Sequence, residues 1–177
     1  MAIEDEITKD NFRSAMSSWA TGVSVITGTA TDGSAKPIGI VCNSLASISL
    51  DEKLILWSVD KSSSSYNHWI SAKSFNVHFL AEDQKDLVAR FAKKGVDKFE
   101  GLEFETSELG NPILAGVSVR MECATTQTFD TYDHMLIIGK VQTLENSGKA
   151  PLLFLHSSLR NISELINSLR YFIRGPG

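Results

Sequence analysis

Histidine and cysteine, the side chains with the broadest chemistry, do not combine into a recognisable centre in this sequence. It contains no H-E-x-x-H and no C-x-x-C motif. Cys42 and Cys123 lie far apart and do not make a disulfide framework or a metal-binding pattern. The four histidines share no metal-ligand spacing: His68, His78, His134 and His156. We therefore predict that the chain binds no metal ion.

Nucleotide-binding and hydrolase signatures are also missing. Gly28 and Gly33 have the spacing of a phosphate loop, but Ser34-Ala35 follows where that loop requires Lys-Ser or Lys-Thr. There is no G-x-G-x-x-G motif and no G-x-S-x-G nucleophile motif. A nucleotide that binds this chain must therefore be held by other groups.

Small and polar residues alternate with apolar ones in the segment 41–49, directly after an apolar strand. Small side chains there would let a flat ligand approach the backbone, whose N–H groups could bond to ring nitrogens and carbonyls. The alternative is that Asn43 and Ser44 only stabilise a turn. Composition alone favours this second interpretation.

A run of four serines follows Lys61 and precedes a predicted helix. The N-terminus of a helix offers unpaired N–H groups and a positive dipole end, and hydroxyls with Lys61 could complete a phosphate site. The alternative is that one serine caps the helix and the others are solvated.

The elements that must position these segments are mainly strands. Apolar residues recur at helical spacing from Phe12 to Ala20, over 83–92, and again near the C-terminus at about 158–173. Strand patterns occupy 23–27, 37–42, 53–59, 74–80, 116–128 and 134–145. Because strands and helices do not alternate regularly, we predict an α+β fold that is mainly antiparallel β, with helices at its periphery.

Length and composition favour a single domain over 1–177. The chain has 177 residues, 42% of them apolar, and a net charge of −4. Such a charge argues against nucleic acid as a partner. The acidic N-terminus lacks the apolar core of a signal peptide, and no apolar run could span a bilayer. We therefore expect a cytoplasmic protein with no membrane partner.

A set of ordered motifs resembles the short-chain flavin reductases, the reductase components of two-component flavin monooxygenases. The resemblance covers about residues 11–156 and rests on the order of the motifs rather than on any single one. The motifs include Thr21-Gly22-Val23, Gly39-Ile40-Val41-Cys42-Asn43-Ser44, Ser47-x-Ser49-Leu50-Asp51, Phe75-Asn76-Val77, Asp97-Lys98-Phe99, Asp133-His134 and Pro151-Leu152-Leu153-Phe154.

The resemblance implies a six-stranded Greek-key split β-barrel, a homodimer, and a flavin, FMN or FAD, bound at each subunit edge. NADH or NADPH would be the co-substrate, and a flavin-dependent monooxygenase would receive the reduced flavin. His134 would orient the nicotinamide and is the predicted catalytic residue. The implied cofactor-binding residues are Val41, Cys42, Asn43 and Ser44 with Ser47 near the ring, Lys61, Ser62 and Ser63 at the phosphate, and Ala81, Glu82, Gln84 and Phe91 beside the ribityl chain or ring.

Two departures from the family pattern bear on activity. Tyr132 stands where the family usually has glycine, and its ring could narrow the nicotinamide site. Cys42 replaces a more common small aliphatic or hydroxyl residue near the flavin. An alternative function is therefore a flavin-binding electron-transfer or storage module without a productive NAD(P)H site. A split barrel that has lost its flavin is a further alternative, against which the retained Asn43 and Ser44 argue.

Overall fold

The computed structural model describes residues 6–164 and 166. Its helices are α1 (Lys9–Ser17), α2 (Tyr66–Ser71) and α3 (Lys85–Ala92). Its strands are β1 (Thr21–Gly22), β2 (Ser24–Thr29), β3 (Pro37–Cys42), β4 (Ala46–Ser49), β5 (Leu54–Asp60), β6 (Ser74–Phe79), β7 (Glu105–Thr106), β8 (Pro112–Ile113), β9 (Val119–Asp130), β10 (His134–Asn146), β11 (Leu152–Leu155) and β12 (Ser158–Asn161).

One antiparallel sheet of seven strands dominates the molecule, in the order β3-β2-β6-β9-β10-β5-β4. In this Greek-key order β5 pairs with β10 and not with β6, the strand that follows it in the chain. Its six longer strands lie where the alternation in the sequence predicts strands. The sheet gains a seventh strand because Ala46–Ser49 is extended and pairs with β5. Strands β1, β11 and β12 form a separate sheet, and β7 pairs with β8.

Two apolar clusters hold the sheet and its helices together. The first centres on Trp57, which makes edge-on contacts with Trp69 and Phe75 at centroid distances of 5.3 and 5.6 Å. The second joins α3 to the sheet through Phe91 and Phe99. Burial alternates along β5 and places Trp57 inside, which fixes the register of this strand.

The C-terminal segment begins differently from the prediction. Residues 158–161, expected to start a helix, form strand β12 and pair with β11. Helix occurs at residues 162–164 and at 166, and the rest of the predicted helix lies outside the described residues. Between the two strands, His156 and Ser157 have φ values of 50° and 57°, the left-handed conformation that a tight hairpin turn requires.

Helix α1 forms close to where the spacing predicts it, but its apolar face is not covered. Phe12 is 59% exposed and Met16 is 52% exposed, and Trp19 just beyond the helix is 71% exposed. Thr8 caps the helix by accepting a hydrogen bond from the Asn11 amide at 3.2 Å. None of the described helices is long and apolar enough to cross a membrane.

Candidate flavin and nicotinamide site

The outer face of β5 and β10 carries a strip of half-buried and exposed side chains, while the alternate residues of β5 are buried in the core. Cross-strand partners in an antiparallel pair share a face. The register therefore places three cross-strand pairs on this face, each forming one row, and two of the rows include leucine or isoleucine. We call this surface the outer platform, and its residues are Leu56, Ser58, Asp60, His134, Leu136 and Ile138. It offers an apolar surface with polar groups at one end, which suits a flat aromatic ring.

Ser44 is fixed beside the outer platform. Its hydroxyl oxygen accepts hydrogen bonds from the amide and the hydroxyl of Ser58, each at 3.0 Å. Its oxygen also lies 3.3 Å from the Cys42 sulfur. The turn after β3 is thus joined to β5, and the Ser44 side chain has a structural role in the ligand-free protein.

The same turn forms part of the lining of a cavity of about 200 Å³. Thr21, Cys42 and Asn43 contribute to its lining, together with Phe79 and Pro151. The Thr21 hydroxyl is buried without a hydrogen-bond partner among the described residues. Burial raises the pKa of the Cys42 thiol, so this side chain stays protonated and serves as a small wall residue.

His134 stands at the polar end of the outer platform, opposite Asp60. Its Nδ1 lies 2.8 Å from the Asp133 carboxylate, and this hydrogen bond holds the pKa of Asp133 below its usual range. A ring that donates from Nδ1 to Asp133 leaves Nε2 for a ligand. Tyr132 is fully exposed to solvent, so in this chain its ring does not narrow the surface beside His134.

The serine run lies close to the same end of β5. The Ser62 amide donates to Asp60 at 2.7 Å, and the Ser63 and Ser65 hydroxyls are 3.2 Å apart. Ser65 precedes α2 but makes no capping bond, because its hydroxyl accepts from the Trp69 indole N–H at 2.9 Å. The Lys61 ammonium contacts Asp130 and donates to the Thr131 carbonyl at 2.6 Å.

The segment 81–84 is held against the far wall of the 200 Å³ cavity. Ala81 is buried and pairs with Pro151, which lines that cavity. Gln84 accepts from the Ala81 amide at 3.0 Å and donates to Ala115 at 2.9 Å. The Glu82 carboxylate accepts from the Ser163 hydroxyl at 2.8 Å. All three predicted residues are therefore engaged in contacts within the protein.

Two predicted binding residues do not lie at this site. Phe91 is fully buried, because its ring fills the space that Gly39 leaves without a side chain. It belongs to the core and offers no exposed surface to a ligand, so we do not place it beside the flavin. Ser47 pairs with Ile55 and lines an apolar groove, whereas its neighbour Ala46 shares a face with Leu56. Ser47 is therefore separated from Ser44 by the alternation of β4.

The sequence reasoning missed Ser58, Leu136 and Asp130. Ser58 and Leu136 pair across β5 and β10, and Asp130 contacts Lys61. An apolar strand pattern predicts that a strand pairs with another, but it does not show which strand is the partner. The sequence therefore carried no signal for these contacts. Among the described residues, no group of three or more histidine, cysteine or acidic side chains could hold a metal ion.

Comparison with known proteins agrees with this geometry. A family model described as flavin reductase like domain matches residues 16–163. The reductase component of a flavin-dependent trigonelline monooxygenase from Acinetobacter baylyi is 42% identical over 79% of this chain. An FMN reductase (NADH) from Agrobacterium fabrum is 40% identical over 81% of this chain and 80% of its own length. This chain spans only 44% of the length of the Acinetobacter relative.

Solved structures show the same fold. Nitrilotriacetate monooxygenase component B from Mycobacterium thermoresistibile has a TM-score of 0.81 and 32% identity, over 87% of this chain and 86% of that one. The NADH:FAD oxidoreductase of Streptomyces globisporus, solved with NAD and FAD fragments, has a TM-score of 0.80 and 27% identity, over 87% and 92% of the two chains. These solved structures have the split-barrel fold of the flavin reductases, and this chain shares it. The family match and these similarities show that this chain belongs to the flavin reductase-like domain family.

Proposed function

We propose that this protein is an NAD(P)H:flavin oxidoreductase that reduces FMN, or FAD, and supplies the reduced flavin to a partner monooxygenase. The observation that carries the proposal is the outer platform, an apolar surface that ends at the Asp133–His134 pair, in a chain of the flavin reductase-like family. A relative named as an FMN reductase (NADH) supports the proposed reduction of flavin. A relative named as the reductase component of a monooxygenase supports the proposed partner.

The residues around the turn after β3 fit a flavin. The Thr21 hydroxyl is buried beside a cavity and has no hydrogen-bond partner in the described part of the chain, and the exposed Asn43 side chain lines the same cavity. Such groups, with the backbone of 41–44, would hold the polar edge of the ring. Ser62 and Ser63 are the proposed phosphate ligands, since their hydroxyls lie at the end of β5 where the platform ends.

The protein's part in the reaction is orientation. When bound, the flavin supplies the hydride-accepting centre, so no acid–base pair of the protein is required. The apolar rows of the outer platform would exclude water from the stacked rings, and the Ser44–Ser58 hydrogen bonds keep the turn beside them in place. The Asp133 carboxylate holds His134 so that Nε2 would meet the carboxamide of the nicotinamide. Alignment of this kind is worth about 7–11 kcal/mol of barrier.

A homodimer is the proposed assembly. An apolar groove of about 380 Å³ runs along Leu45, Leu54, Met121 and Leu144, and the face of α1 is exposed as well. Exposed apolar patches of this extent mark interaction surfaces. A second copy would cover them. The cytoplasmic location expected from the sequence stays a prediction.

Steady-state assays test the proposal. Purified protein is mixed with NADH or NADPH and with FMN, FAD or riboflavin, and oxidation of the nicotinamide is followed. We expect turnover with at least one pair of substrates. Bound flavin without turnover by either donor would instead establish the electron-transfer module, and absence of flavin binding would reject both functions.

A further inference from the structure

Lys61 has an unusually complete set of protein partners for a residue at the edge of a ligand site. Its ammonium contacts the Asp130 carboxylate and donates to the Thr131 carbonyl at 2.6 Å. Its amide donates to the Asp133 carbonyl at 2.9 Å. The side chain is only 33% exposed. The contact with Asp130 raises the pKa of Lys61, so the ammonium stays charged. One residue thus contacts the last residue of β9 and two residues of the connection between β9 and β10.

These contacts lead directly to His134. Thr131 donates to the His134 carbonyl from its amide at 3.0 Å and from its hydroxyl at 2.6 Å. Asp133, whose carbonyl is bound to Lys61, also holds the His134 ring through its carboxylate. The backbone and the ring of His134 are therefore both fixed by residues that Lys61 contacts.

The charge around Lys61 is unfavourable for a phosphate. Asp130 contacts the ammonium, Asp133 is close enough to affect its pKa, and Asp60 precedes it in the chain. A dianionic phosphate bonded to Lys61 would lie near these carboxylates, and like charges at such distances repel. The Ser63 hydroxyl, whose partner is the Ser65 hydroxyl and not a carboxylate, remains able to donate a hydrogen bond to a phosphate without the lysine.

We infer that Lys61 is a positioning residue that fixes the β9–β10 connection and orients His134 toward the nicotinamide, and is not a ligand of the flavin phosphate. The inference rests on the proposed function for its kinetic consequences. It differs from the sequence-based assignment of Lys61 to the phosphate site. Asp130, its carboxylate partner, becomes a positioning residue as well.

The experiment compares Lys61→Met, Asp130→Asn and the double variant with the unmodified protein. We expect each single variant to raise the KM for the preferred nicotinamide by about tenfold, since a charge-assisted hydrogen bond is lost. The double variant should be no worse than either single variant, because both remove the same interaction. The ratio of FMN to riboflavin affinity should not change, since riboflavin differs from FMN only by lacking the phosphate. Lys61→Arg should restore a KM close to that of the unmodified protein.

The opposite pattern would overturn the inference. A phosphate ligand predicts that Lys61→Met weakens FMN binding while riboflavin binding is unchanged, and that Asp130→Asn has no such effect. Lys140→Met is the matched control, because it breaks the Lys140–Glu52 ion pair of 2.9 Å near the other end of the β5–β10 pairing. This control should leave both the KM and the flavin affinities unchanged.

Amide hydrogen exchange separates failure of this inference from failure of the proposed function. In the positioning role, Lys61→Met and Asp130→Asn speed exchange of the Thr131 amide, whether or not the protein oxidises NADH or NADPH. Unchanged protection there in both variants would reject the role of Lys61, even in a fully active reductase. A protein with no turnover, but with faster exchange in both variants, would retain the structural role and reject only the proposed reaction.

Discussion

Ser58 of β5 donates two hydrogen bonds to the Ser44 hydroxyl oxygen, one from its amide and one from its hydroxyl, each 3.0 Å long. The two strands β3 and β4 are the ends of the seven-stranded sheet, and the turn between them contains Ser44. Ser58 therefore fixes the turn that connects the two ends of the sheet, next to the surface where we place the flavin.

Replacing Ser44 with alanine should weaken flavin binding more than folding. The variant leaves the Ser58 amide without its acceptor, at a cost of about 1–3 kcal/mol if water does not replace it. We expect the Kd for FMN to rise by about tenfold, measured by quenching of flavin fluorescence. Ser14→Ala, on exposed helix α1, is the control and should change neither quantity. An unchanged Kd in Ser44→Ala would contradict the proposed place of the flavin.

His134→Ala should impair use of the nicotinamide and spare the flavin. The imidazole stands at the end of the outer platform and is held by Asp133. We expect kcat/KM for NADH or NADPH to fall by about 100-fold, with the Kd for FMN within about twofold of the unmodified protein. Asp133→Asn should give an intermediate loss. Equal loss of flavin affinity and nicotinamide use would show that His134 binds the flavin instead.

Buried His78 should make stability depend on pH. Its Nδ1 bonds to the Val25 carbonyl at 3.2 Å, and its Nε2 accepts from the Leu114 amide at 3.1 Å, so the ring is neutral. Burial, with a smaller contribution from the charge of nearby Arg120, lowers the pKa of His78 to about 4. The unfolded chain takes up a proton near pH 6.5 and the folded one does not. This contribution is therefore complete above pH 6.5 and is lost as the pH falls toward 4.

The size of this loss in stability follows from the difference between the pKa of His78 in the folded and the unfolded chain. It amounts to about 3 kcal/mol of unfolding free energy. Urea titrations at pH 7 and pH 4.5 measure it. His78→Gln keeps one donor and one acceptor but does not titrate. We expect this variant to be less stable at pH 7, because glutamine does not reproduce the shape of the buried ring, and its unfolding free energy should depend less on pH. An equal dependence in both proteins would reject the role of His78.

Gly39→Ala should destabilise the protein through Phe91. A Cβ at residue 39 would clash with the Phe91 ring, which is fully buried. We expect a loss of about 1–3 kcal/mol, measured by thermal unfolding. Gly22→Ala is the control, since an added Cβ there meets nothing within 4 Å. Adding Phe91→Leu to Gly39→Ala should recover part of the loss, and a purely additive result would contradict the explanation.

Dimer formation should depend on the exposed apolar groove. Leu144 is 61% exposed in the isolated chain and lines that groove. Leu144→Asp would place a charge at the proposed interface, so we expect a halved mass in light scattering with little change in unfolding temperature. Leu109→Asp, a similarly exposed leucine that does not line the groove, should leave the mass unchanged. A monomeric mass for the unmodified protein would reject the assembly.

Much of the fold could be predicted because its signals are local. The alternation of Val119, Met121 and Cys123 predicts a strand, and all three residues lie in β9, although Glu122 between them is buried as well. The strand at 158–161 was missed because its hairpin turn uses His156 and Ser157 rather than the glycine or asparagine typical of such turns. Local periodicity there matched a helix equally well.

The site was less predictable because its contacts are long-range. Ordered motifs indicated the family and the segment containing Ser44, but Ser44 meets Ser58 through strand pairing that no local pattern encodes. The burial of Phe91 was not predicted, because a helical pattern shows which residues face inward but not that Gly39 leaves room for a ring. The exposure of the apolar face of α1 was not predictable either. Apolar residues recur at the same spacing whether a helix face packs against its own chain or is covered by another chain.

The most direct test of the central claim is the visible absorbance spectrum of the protein with FMN, recorded without oxygen before and after adding NADH and then NADPH. Loss of the oxidised-flavin band at a rate that matches turnover is the predicted result, and the donor that causes it is the co-substrate. A bound flavin whose band persists with both donors would contradict the proposed reductase function.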